Sequence, residues 1–153
     1  MASKRIFYRI DRIVERSFGY LNHAEVEELS DGKIPETISA GLNIGYKWNY
    51  DKNAFLVLVD IKFAIDRGDD GKVEFLTHSS SIGYAVNKLT EILSGDSTDN
   101  FKMEEQWEIT FVGLAISTAR GMLASRTAGT FYNRLIFPVV DPSKAIISNI
   151  TNK

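Results

Sequence analysis

Residues 37–66, TISAGLNIGYKWNYDKNAFLVLVDIKFAID, decide the fold. The even positions up to residue 50 are Ile38, Ala40, Leu42, Ile44, Tyr46, Trp48 and Tyr50; the odd ones are Thr37, Ser39, Gly41, Asn43, Gly45, Lys47 and Asn49. Successive side chains of a strand point to opposite faces, so this alternation predicts a half-buried strand. Asp51-Lys52-Asn53 then supplies turn residues, whose short polar side chains bond neighbouring backbone. Beyond it, Phe55, Val57, Val59, Ile61, Phe63 and Ile65 line one face of a second strand. Two long strands joined by so short a connection form an antiparallel hairpin.

Working outward, Arg67-Gly68-Asp69-Asp70-Gly71 is a second turn, and Lys72 to about Val86 is a third strand. Upstream, Arg5 to about Asn22 also reads as a strand, with charges on both faces, as an edge strand tolerates. Residues 22–35 form an acidic connection. Between residues 87 and 101 a short apolar piece (Leu89, Ile92, Leu93) precedes the polar run SGDSTDN. A helix is expected from near Lys102, with Glu104 and Glu105 in its first turn, where carboxylates suit the dipole. Gly129 can end it. Asp141 followed by Pro142 is an N-cap with proline at the first helical position, opening a short helix to about Asn149. Strands first and helices last predict a single α+β domain over residues 1–153. Its expected form is a four-stranded antiparallel sheet, then a long helix, then a short C-terminal one.

The long helix contains ITFVGLAISTARGMLASRTAG, residues 109–129, which is apolar or small on nearly every side. Gly113, Ser117, Gly121, Ser125 and Gly129 recur every fourth residue, a row bare enough for another backbone to approach closely. Each glycine inside a helix costs about 1 kcal/mol against alanine, so the row needs a compensating contact. Trp107, Phe111, Leu114, Thr118 and Met122 make one apolar stripe; Ile109, Val112, Ile116 and Leu123 make another. One stripe covers the sheet. The other is expected to meet the same helix of a second subunit, most simply about a two-fold axis, with Gly113, Ser117, Gly121, Ser125 and Arg120 at the interface; the alternative is that loops and the C-terminal helix of the same chain bury both stripes.

Composition narrows the function. The chain has 153 residues, a net charge of -2 and no cysteine. That charge argues against nucleic-acid binding, and the lack of cysteine removes disulfides, thiol nucleophiles and thiolate metal sites. The uncharged run of the long helix, between Glu108 and Arg120, is only eleven residues, against the ~20 of a membrane span, so no membrane insertion is expected. The start lacks the pattern of a secretory signal, and a cytoplasmic location is the expectation.

No constellation announces catalysis, and no enzyme, metal or cofactor is expected. His23 lies among Glu25, Glu27 and Glu28; His78 lies beside Ser79, Ser80 and Ser81, without a nucleophile elbow. Asp66, Asp69 and Asp70 lack the ligand spacing of a calcium loop. Arg120 and Arg126 lie on different sides of the helix and read as packing or interface cations.

The order of elements and the segment from Ala119-Arg120 through Gly129-Thr130-Phe131 to Pro138-Val139-Val140-Asp141 resemble the SecB family of export chaperones. The start Ile34-Pro35-Glu36 and the strand AFLVLVDIKFAI agree with that family in type and spacing. The resemblance implies a chaperone, a dimer or a dimer of dimers in which the long helices meet, that holds unfolded polypeptides by burying their apolar stretches in surface grooves, without ATP. It places Phe131, Tyr132, Leu135, Ile136 and Phe137 against Tyr20, Leu21, Leu29 and Ile34 as the groove. Departures exist: positions matching acidic residues on the family's outer sheet face are Ser17, Leu21 and His78, and the acidic tail is missing. Delivery to the SecA motor is therefore in doubt. The alternative is an adaptor for one dedicated partner, such as an antitoxin.

Overall fold

The computed structural model describes residues 5–22, 24–26, 38–135, 137–138 and 140–145. Four strands, β1 (Tyr8–Tyr20), β2 (Ile38–Asn49), β3 (Ala54–Asp66) and β4 (Lys72–Val86), form one antiparallel sheet in the order β1-β4-β3-β2. The hairpin of residues 38–66 stands as its alternation dictates, with Tyr46 opposite Val57 and Trp48 opposite Phe55. Phe55, Val57, Val59, Ile61, Phe63 and Ile65 are all buried.

β1 is an edge strand, as its mixed faces suggested. Its pairing with β4 slips between Ile10 and Arg12 and between Glu15 and Ser17. Each slip inserts an extra residue and reverses which side chains face the core. Before the second, Glu15 lies opposite Ser80 on the inner face; after it, Ser17 lies opposite Ser79 on the outer one.

Residues 87–104 differ from expectation. They form a short helix α1 (Leu89–Ile92) and two small strands, β5 (Leu93–Ser94) and β6 (Lys102–Met103), paired Leu93 to Met103. The long helix α2 spans Glu105–Thr127, so Lys102 belongs to a strand and not to the helix. Burial explains the difference: Leu89, Ile92, Leu93 and Met103 all enter the core, which a helix begun at Lys102 would prevent. Trp48 Nε1 and Tyr50 Oη donate to the Gly95 carbonyl at 3.3 and 2.7 Å, and Phe101 stacks on Tyr46 at 4.7 Å.

α2 lies on the inner face, turning Phe111, Val112, Ala115, Ile116, Ala119 and Leu123 onto the sheet. Tyr84 Oη donates to the Phe111 carbonyl at 2.7 Å, fixing the helix over β4. After α2, Gly129 takes a left-handed φ of 77°, and residues 131–134 form a 3-10 turn, Phe131–Arg134. The capping by Asp141 holds: its Oδ1 accepts from the Ser143 amide at 3.0 Å and hydroxyl at 2.6 Å, and residues 142–145 are helical. The expected continuation to Asn149 lies outside the described residues. The sheet, long helix and short C-terminal helix make an α+β fold of the expected class.

Candidate binding surfaces

Three surfaces emerge from this frame. The first runs along β1. Large apolar side chains left exposed among the described residues are Phe7, Tyr8, Ile10, Ile13 and Tyr20, at or on β1, and Leu114 on α2; their exposures run from 37% to 64%. The inner face of β1 overhangs the sheet beyond the width that one helix covers, because α2 sits over β3 and β4. Tyr8 closes one end, packing edge-on against Trp107 and Phe111 at 5.9 and 5.2 Å. Tyr20 closes the other, 5.5 Å from the ring of Tyr132. The outer edge of β1 carries backbone groups with no neighbouring strand among the described residues.

Midway along this edge, a polar clamp ties β1 to α2. Arg126 Nε lies 3.0 Å from each carboxylate oxygen of Glu15, and its guanidinium stands 5.6 Å above the Phe18 ring. Glu15 Oε2 lies 3.3 Å from His78 Nε2. The arginine holds the Glu15 carboxyl below its ordinary range, and burial lowers the His78 pKa despite the carboxylate beside it. His78 Nδ1 and Ser80 Oγ are buried without a hydrogen-bond partner among the described residues. His78 thus sits on the inner face, not on the outer face where the family matching set it. Ser80 is fully buried as well, although serines in a strand commonly face solvent. Alternation within Leu76, His78, Ser80, Ile82 and Tyr84 could have revealed both, since their neighbours are plainly core.

The second surface is a hollow at the end of α2. Arg120, Leu123, Ala124 and Thr127 of the helix and Asn133, Leu135 and Phe137 of the following loop enclose about 310 Å³. Of the residues matched to the peptide groove, Leu135 and Phe137 line this hollow, while Tyr132 meets Tyr20 on the β1 flank. The two places are linked through the core: Tyr132 stacks on Phe75 at 6.0 Å, Phe75 meets Phe63, and Phe63 meets Phe137 edge-on at 6.1 Å. Tyr132 and Phe137 are buried; Leu21 and Leu135 are half-buried and Tyr20 is exposed. Burial raises the Tyr132 phenol above its ordinary pKa. Leu29, Ile34, Ile136 and the side chain of Phe131 lie outside the described residues. Arg120, expected among the interface residues, turns its flank of the helix to this hollow.

The third surface is the outer side of α2. Ser117, Gly121 and Ser125 are exposed, and a Cβ on Gly121 would meet nothing within 4 Å. Gly113 differs, since a Cβ there would lie 3.2 Å from Pro142 Cγ. Among the described residues the small row is therefore covered only at Gly113, and Ser117, Gly121 and Ser125 are open.

Among the described residues no group of three or more His, Asp or Glu side chains could hold a metal ion, and no helix is long and apolar enough to cross a membrane. No family model matches the chain, and no curated protein does. Among solved structures, the chain is similar to a protein of unknown function from Streptococcus agalactiae. The identity is 13%, with 92% of this chain and 98% of that one covered and a TM-score of 0.37, too distant a likeness to bear on function.

Proposed function

We propose that this protein is an ATP-independent holdase of the cytoplasm, SecB-like in kind, that binds apolar segments of non-native polypeptides. The observation that carries the proposal is the row Phe7, Tyr8, Ile10, Ile13 and Tyr20 left open along an edge strand. Tyr8, Ile10 and Ile13 share the inner face on one side of the Glu15–Arg126 clamp and Tyr20 lies on the other, and exposed large apolar side chains gathered along one element mark an interaction site. An edge with free backbone donors and acceptors suits an extended chain, which supplies the missing hydrogen bonds while its apolar side chains cover the row. The required partner is thus extended and apolar, and an unfolded polypeptide has both properties. Homo-oligomerisation through α2 belongs to the same proposal, since Leu114, Gly121 and Ser125 are open.

The adaptor is the second reading, in which one dedicated protein occupies the edge and delivery to SecA plays no part. An aggregation assay separates the two. At several-fold molar excess and without ATP, the protein is expected to slow light scattering by a denatured client. Ile13→Asp with Tyr20→Asp changes exposed positions and should reduce that protection several-fold while leaving the melting temperature within a few degrees. Full protection by the double variant would sink the edge as the binding surface. No protection by the unaltered protein, with one stoichiometric partner co-purifying, would favour the adaptor.

A further inference from the structure

α2 carries two arginines in its second half, and the fold treats them differently. Arg126 is closed onto Glu15 by bonds from Nε to both carboxylate oxygens. Arg120 lies six residues earlier, about 120° around the helix at 100° per residue. It is half-buried and makes no ion pair among the described residues. A half-buried charge without a counter-charge is costly, and a guanidinium is built to take a carboxylate in two-pronged fashion. Around it stand apolar walls, Leu123, Leu135 and Phe137, with Asn133 offering an amide at the rim. The Thr127 hydroxyl adds no recognition, because it already donates to the Leu123 carbonyl at 3.0 Å. The volume of about 310 Å³ takes one large apolar side chain with a small group beside it, at the lower end of ligand-pocket sizes.

We infer that this hollow selects polypeptide segments in which a large apolar residue is followed closely by an Asp or Glu side chain. The apolar residue enters between Leu123, Leu135 and Phe137, and the carboxylate accepts from the Arg120 guanidinium. Charge complementarity assigns the occupant: a purely apolar segment would leave the guanidinium unpaired, and a basic one would be repelled. The inference rests on the polypeptide-binding proposal and adds a preference within it. It concerns the flank of α2 away from β1, so the two surfaces can be disabled separately.

The test uses two short fluorescein-labelled peptides that differ only in Glu or Gln after a Leu-Phe-Leu centre, with affinity read by anisotropy. The unaltered protein is expected to bind the Glu peptide about fivefold more tightly, the ratio shrinking as salt screens the charge. Arg120→Gln should bring the ratio to about one, losing more affinity for the Glu peptide than for the Gln peptide, and Arg120→Lys should restore part of the ratio. Equal binding of both peptides by the unaltered protein overturns the carboxylate preference and leaves the holdase standing. A ratio that survives Arg120→Gln overturns the assignment to this arginine. A changed native mass in that variant makes a second copy of the chain the occupant instead. Failure of both peptides to bind removes the polypeptide-binding proposal together with this one.

Discussion

His78 is the residue where the sheet departs furthest from a plain apolar core. It is buried beneath α2, one nitrogen facing Glu15 and the other without a partner among the described residues. Every charged group turned toward it comes from β1 or α2: Glu15 directly, and Arg126 through Glu15. Burial, the largest influence, favours the neutral ring, so the folded state binds fewer protons than the unfolded chain just below the ordinary value of 6.5. Stability from this group is complete above that value and declines as pH falls through it toward the lowered folded pKa. Glu15 acts in a lower window: its lowered pKa adds stability present above 4.5 and lost as pH falls further. Melting temperature is therefore expected to be level above neutrality, to sag from about pH 6.5, and to fall again below about pH 4.5. His78→Leu should erase the upper sag alone. A flat profile from pH 7.5 to 5 in the unaltered protein would count against a buried neutral ring.

At the scale of elements, strand periodicity was a strong signal and local turn chemistry a weak one. The hairpin of β2 and β3, the strand β4 and the face of α2 were legible because burial on one side forces a period of two or 3.6. β1 was legible only as an edge, since its two slips exchange inner and outer residues and scatter the pattern of Glu15, Ser17 and Phe18. Residues 87–104 were unreadable for another reason: they are held by side-chain bonds to a distant strand, which no local period records. Gly95 shows how tightly. Its φ is 112°, and a Cβ there would collide with the Asn100 carbonyl oxygen while its own carbonyl receives Trp48 and Tyr50. Gly95→Ala is thus expected to cost about 2–4 kcal/mol through strain and overpacking. The corresponding fall in melting temperature is roughly 5–15 °C. A loss under 1 kcal/mol would show that the segment can yield.

For the whole molecule, the open question is what meets the outer side of α2. The small row Gly113, Ser117, Gly121, Ser125 was visible in the sequence; that Gly113 is kept bare by Pro142 was not, because Pro142 is brought there by the chain's return after the loop. The candidate site divides in the same way. Leu135 and Phe137 could be named from the resemblance, but their union with Arg120 depends on the angle at which residues 131–137 leave the helix. Gly121 supplies a clean test of the remaining face, since among the described residues nothing beyond its own helix turn lies within 4 Å of a Cβ placed there. In an isolated chain, Gly121→Ala should raise stability by about 1 kcal/mol through helix propensity alone. Gly121→Leu should be tolerated equally well by such a chain. If a second α2 packs against the row, the leucine separates the two backbones and lowers the native mass, while the alanine costs stability or gains none. Melting temperatures with light-scattering masses for both variants decide between these outcomes. An unchanged mass with both variants stabilised would mean that no second helix covers Gly121, and the oligomer would then need another surface, with the β1 edge the first to examine.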